Sequence, residues 1–96
     1  MDAIPSEDDP IRIPVTDTLD LHPVHARDVR AVVEEYLSEA ERLNLRALRI
    51  IHGKGSGVQR EIVRSILARH PAVAEFHDAP LEAGGWGATV VTLRAR

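Results

Sequence analysis

Ninety-six residues and 10.6 kDa suffice for one small domain, and 44% hydrophobic with 28% charged residues is the balance of a soluble globular chain. No apolar run approaches the roughly 18 residues of a membrane span, no basic-then-apolar start marks a signal peptide, and the lack of cysteine excludes disulfides, thiolate catalysis and cysteine-based metal sites. The formal charge of −3 argues against a broad basic surface, but residues 1–20 carry six acids against one base, whereas residues 21–96 carry nine acids against eleven bases.

Residues 1–10 are rich in acids and proline and read as a disordered acidic leader, leaving residues 11–96 as the domain. The β-like run 11–15 contains Pro14, which demotes it to an edge strand or extended arm. Residues 18–22 alternate, with Leu19 and Leu21 on one face and Asp20 and His22 on the other, and Pro23 stops the strand. From 26 to 43 the spacing of Val29, Val32, Val33, Tyr36, Leu37, Ala40 and Leu43 predicts a helix buried on one side. Asp28 falls in its first turn and Asn44 suits a left-handed cap at its end. Residues 46–52 form a second strand, and strand, helix and strand together imply parallel pairing. A second helix over 58–70 turns Val58, Ile62, Val63, Ile66 and Leu67 inward and ends at Pro71. Strands over 72–78 and 88–95 complete the order β-α-β-α-β-β, a two-layer α/β sandwich of two helices on a mixed four-stranded sheet.

The most informative stretch is His52-Gly53-Lys54-Gly55-Ser56-Gly57, placed between a strand and a helix start. Alternate glycines let backbone N–H groups turn toward an anion, the helix end adds partial positive charge and Lys54 adds a full one. The bland alternative is a tight turn with an exposed lysine. Gly55 after Lys54 excludes a Walker A loop, and Val58 excludes the dinucleotide fingerprint. Arg60 and Arg64, one turn apart, make either a basic ledge beside the loop or a solvated face partly neutralised by Glu61. Asp20, His22 and His52 close neighbouring parallel strands, so they are expected to converge with the glycine loop. A carboxylate and two imidazoles beside a phosphate cradle suit phosphodiester chemistry, with acid/base work on histidine and charge stabilisation by Lys54 and loop N–H groups. No metal site or cofactor is predicted, since no dense ligand spacing is present, although Asp20, His22 and His52 are chemically compatible with a divalent ion such as Mg or Mn. Trp86, among glycines, is either a stacking platform for a base or a hydrophobic plug folded onto the sheet.

Leu19-Asp20-Leu21-His22, Ile51-His52-Gly53-Lys54-Gly55-Ser56-Gly57 and Gly85-Trp86-Gly87-Ala88-Thr89-Val90-Val91 resemble, in order and spacing, the small MutS-related (Smr) domain. The resemblance implies a fold akin to the C-terminal domain of bacterial translation initiation factor 3, nucleic-acid binding and, in many members, endonuclease activity on DNA or RNA. Stand-alone bacterial members are associated with messenger RNA cleavage at stalled ribosomes, which adds the ribosome as a candidate partner. The family's DLH element falls on Asp20, Leu21 and His22, and its HGxG element on His52, Gly53, Lys54 and Gly55. Two positions depart from the family pattern: Pro23 replaces the usual glycine, and Trp86 stands where a small residue is common. The resulting expectation is a cytoplasmic, monomeric nucleic-acid-binding endonuclease with no membrane partner. Its rival is a non-catalytic nucleic-acid or ribosome-binding module.

Overall fold

The computed structural model describes residues 15–95. The acidic leader and residues 11–14 of the first extended run lie outside the described residues. Val15, at the end of that run, belongs to no strand and packs partly against the core.

Helical spacing decides the first layer. In α1 (Val29–Arg42), Val29, Val33, Tyr36, Leu37 and Ala40 are buried. The helix starts later than its periodicity suggests, because the 3-10 turn Ala26–Asp28 precedes it and makes Asp28 the N-cap. Its end follows the sequence signal. Asn44 takes φ +61°, the Leu45 N–H donates to the Ala40 carbonyl at 2.9 Å, and the Asn44 N–H donates to Glu41 at 3.1 Å. This is a Schellman closure. It carries Leu43 off the buried stripe and leaves it 43% exposed. In α2 (Val58–Arg69), Val63, Ile66 and Leu67 are buried, whereas Val58 at the helix mouth points to solvent. The helix ends where Pro71 forces His70 into extended backbone.

The sheet contains β1 (Thr18–Asp20), β2 (Ala47–Ile51), β3 (Val73–Asp78) and β4 (Ala88–Leu93), in the spatial order β1-β2-β4-β3. β1 and β2 are parallel, and β4 runs antiparallel to both β2 and β3. Three strands therefore end where β4 begins. Leu48 and Ile50 of β2 and Val91 and Leu93 of β4 point into the aliphatic core with α1 and α2. The alternate positions face away from it. Tyr36, the one buried aromatic, donates its hydroxyl to the Thr16 carbonyl at 2.6 Å, and burial raises its pKa to about 12. No helix among the described residues is long and apolar enough to cross a membrane.

Candidate phosphate-handling site

β1 is shorter than the alternation of residues 18–22 suggests. Its last ladder contact is the Leu21 N–H donating to Ile51 at 2.8 Å, and the chain then turns, with the Val24 N–H donating to the Leu21 carbonyl at 3.0 Å. Pro23 lies inside this turn, where its missing N–H costs the fold no hydrogen bond. His22 is thus a turn residue. It meets Asp20 by folding back, not by strand alternation. Both its backbone N–H, at 2.9 Å, and its ring Nδ1, at 2.7 Å, reach Oδ1 of Asp20. A carboxylate can only accept, so Nδ1 donates, and in the neutral imidazole Nε2 is then the acceptor. The two donated hydrogen bonds, backbone first, hold the Asp20 carboxyl below its ordinary value. Nε2 faces the loop, since a Cβ at Gly53 would sit 3.3 Å from it. Gly53, at φ +85°, adopts backbone that suits glycine.

His52 has a different environment. Register pairs Asp20 with Ile51, and Ile51 with Ala88, on the open face of the sheet, whereas Leu19, Ile50 and Thr89 share the helix-covered face. His52 joins the second group. It is only 6% exposed, with Nε2 at 2.9 Å from the hydroxyl of fully buried Thr89 and Nδ1 at 3.1 Å from the Gly53 carbonyl. Because that carbonyl accepts, Nδ1 donates, and the Thr89 hydroxyl donates to Nε2. Burial pushes the pKa of His52 below 6.5, and Arg60 and Arg64 push the same way against the Gly53 carbonyl and Asp78. The expected convergence therefore holds for the strand ends but not for the three side chains. Asp20 and His22 are on one side of the sheet end and His52 is on the other, with Gly53 between them.

The loop is clamped to the start of β4. The N–H groups of His52 and Gly53 both donate to the Gly87 carbonyl, at 3.1 and 2.9 Å. A Cβ at Gly87 would lie 2.9 Å from Lys54 Cγ, so only glycine lets the lysine stem cross here. Lys54 forms no ion pair among the described residues. Its ammonium lies beside Gly85 and borders an open cleft of about 430 Å³ that also contains His22, Arg49 and Glu82. A second cleft, of about 340 Å³, lies on the helix side between Gly55, Ser56, Gly57 and Arg60. The Ser56 hydroxyl accepts weakly from the Val58 N–H at 3.4 Å, and left-handed Gly57 opens α2.

Arg60 and Arg64 gather on one acid that the sequence did not single out. Asp78, at the end of β3, accepts from Arg60 at 2.7 Å and from Arg64 at 3.3 Å. The Arg60 hydrogen bond is the main reason its carboxyl is held below the ordinary range. Glu61, the neutraliser expected from sequence, is a lesser partner at 3.5 Å. Asp78 escaped notice because it meets the arginines across the packing of α2 on β3, a tertiary neighbour relation that local sequence does not encode. Thr89 escaped because β4 inserts between β2 and β3. Trp86 sits in the 3-10 turn Gly85–Gly87 and is 43% exposed, with the Arg60 guanidinium 5.8 Å from its ring centre. It is therefore no buried plug. Among the described residues, no group of three or more His, Asp and Glu side chains is placed to hold a metal ion.

The same frame occurs in known proteins. Over 76 residues the chain is 42% identical to the endonuclease MutS2 of Thermus thermophilus, a match that takes in 79% of this chain and 10% of that protein. The MutS2 endonuclease of Helicobacter pylori is 35% identical over 75 residues, covering 78% of this chain and 10% of that one. The chain thus spans about a tenth of the length of these curated relatives. The crystal structure of the Smr domain of Thermus thermophilus MutS2 superposes with a TM-score of 0.78 at 40% identity, covering 83% of this chain and 100% of that one. YdaL, a stand-alone small MutS-related protein from Escherichia coli, gives 0.72 at 32% identity, covering 85% of this chain and 67% of its own. The Smr domain profile matches residues 19–94, from the strand that delivers Asp20 to the end of the strand that clamps the loop, and the chain belongs to the Smr domain family.

Proposed function

We propose that this domain binds nucleic acid through its phosphates and cleaves the phosphodiester backbone, with His22 as the acid/base group. The observation that carries this reading is the 2.7 Å contact between Asp20 and His22 Nδ1, which makes Nε2 the acceptor of the neutral imidazole, beside Gly53 and the cleft of Lys54. Cleavage needs a base for the attacking oxygen, an acid for the leaving oxygen and a cation near the phosphoryl oxygens. Asp20 orients the imidazole and steadies its charge once Nε2 takes the proton of the attacking oxygen, and the same imidazolium then returns a proton to the leaving oxygen, the same logic as other carboxylate–histidine pairs. Lys54 faces the added phosphoryl charge, and the glycine loop supplies N–H groups from Lys54 to Gly57, the Gly53 N–H being held by the Gly87 carbonyl. His52 supports the loop from below, and acid/base work falls on it only if the Thr89 hydroxyl lets go. The name endonuclease carried by the MutS2 relatives supports phosphodiester cleavage as the reaction. On RNA the 2′-hydroxyl can serve as nucleophile, giving a 2′,3′-cyclic phosphate.

The test offers labelled single-stranded RNA and supercoiled plasmid to wild type and to His22→Ala, each with magnesium or EDTA. Cleavage by wild type and its loss in the variant support the reading, and the EDTA lanes report metal need. A cyclic phosphate end made in EDTA supports attack by the 2′-hydroxyl, whereas metal-dependent cleavage leaving a 5′-phosphate assigns the attack to water. Undiminished cleavage by His22→Ala removes the histidine from the mechanism. A second reading, a binding module without cleavage, draws on the engagement of both His52 nitrogens. Salt-sensitive binding without cleavage of either substrate would establish it.

A further inference from the structure

We infer that Trp86 and Arg60 form a stacking platform for an unpaired base, which directs the site to single-stranded segments of nucleic acid over intact duplex. This rests on the phosphate-binding reading above and adds what is read besides phosphate. Three features point to it. The turn that carries the indole is locked on both sides. Gly84 and Gly85 take left-handed backbone, at φ +117° and +57°, and the Gly87 carbonyl accepts from both His52 and Gly53. These hydrogen bonds tie the turn of Trp86 to the start of the glycine loop. The indole is also 43% exposed although it is the largest apolar side chain in the protein, and nothing among the described residues covers it completely. Val58 and Leu81, also exposed, flank the same region, Val58 at the mouth of α2 and Leu81 packed beside Gly85. Finally, Arg60 both lines the helix-side cleft and lies over the indole, anchored there by Asp78.

A phosphate in that cleft is thus one residue away from an aromatic face with a guanidinium beside it. Bases stack on such faces with little regard to sequence, since each has a π-face. In a duplex those faces are already stacked on their neighbours, and exposing one costs unpairing energy. A single strand, a loop or a bulge avoids that cost.

Trp86 is the chain's only tryptophan, so its fluorescence reports on the platform directly. The test titrates the protein in EDTA with a short oligothymidylate, with an abasic strand carrying the same number of phosphates, and with a duplex of equal length. Quenching by the oligothymidylate, little quenching by the other two, and weaker binding of the abasic strand are expected. Trp86→Ala should weaken oligothymidylate binding about tenfold while leaving abasic binding unchanged, and Trp86→Phe should retain most of the affinity. Equal quenching and affinity for the base-bearing and abasic strands overturns the platform and leaves phosphate binding intact. Loss of affinity for both strands in Trp86→Ala also overturns it, by assigning the indole a role in shaping the loop. Absence of salt-sensitive binding by any strand overturns the phosphate reading and this inference with it.

Discussion

His22 and His52 lie at the ends of adjacent parallel strands, on either side of one glycine, yet their environments differ in nearly every respect. His22 sits in a solvent-facing turn with one nitrogen held by Asp20 and the other open to the loop. His52 is buried, with a hydroxyl on one nitrogen and a carbonyl on the other. An imidazole with a free lone pair can move a proton, whereas one whose donor and acceptor are both engaged holds a structure together. Equivalent positions in the chain thus give one residue suited to chemistry and one suited to architecture.

Separate measurements of activity and stability break or sharpen this contrast. The largest effect is expected at His22. Replacement by alanine should reduce cleavage by about 100-fold or more and shift stability by less than about 0.5 kcal/mol, as for a surface site. A comparable loss of stability would erase the distinction. His52→Ala should do the reverse in urea titrations, costing about 2–4 kcal/mol because it empties a buried site and orphans the Thr89 hydroxyl. Thr89→Val, which leaves Nε2 without its donor, should cost about 1–3 kcal/mol.

The His52 environment also predicts a pH dependence. Its folded pKa is depressed, so as pH falls below 6.5 the unfolded chain takes up the proton before the folded one does. Stability from this site is therefore complete above pH 6.5 and is lost as pH drops through the window between 6.5 and the lower folded value. Thermal melts across that window should show the decline in wild type and less of it in His52→Gln. Asp20 and Asp78, both held below 3.8, contribute separate stability that is present above 3.8 and is lost as pH falls through their folded pKa values.

Gly53 separates the two corners, and Gly53→Ala strains both. Left-handed backbone costs a residue with a Cβ about 1–2 kcal/mol, and the new methyl would meet His22 Nε2 at 3.3 Å. Reduced stability together with impaired cleavage is expected, and unimpaired cleavage would show that His22 works without its contact to the loop. The smallest effect concerns charge. Asp78→Asn releases Arg60 and Arg64 from their shared acid, so oligonucleotide affinity at low salt should rise a few-fold and the slope of log affinity against log salt should steepen by about one. No change in slope would mean that these arginines contact no phosphate.

Much of this was legible in the chain itself. Periodicity located both helices, Asn44 marked the left-handed close of α1, and glycine spacing located the loop between β2 and α2. Asp20 and His22 meet through a turn and not through the strand alternation that the sequence suggests. The opposite placement of His52 was encoded more faintly. It shares parity with Leu48 and Ile50, but Ile51 is apolar too and blurs the alternation that would have assigned it to the core side. Local propensity, hydrophobic period and turn chemistry act over a few residues, and they determined the elements, the aliphatic core and the position of the loop. The insertion of β4 between β2 and β3 depends on packing across the whole sheet. Only that packing brought Thr89 to His52, Asp78 to the two arginines and Trp86 to Arg60, because each contact joins residues that the chain keeps far apart.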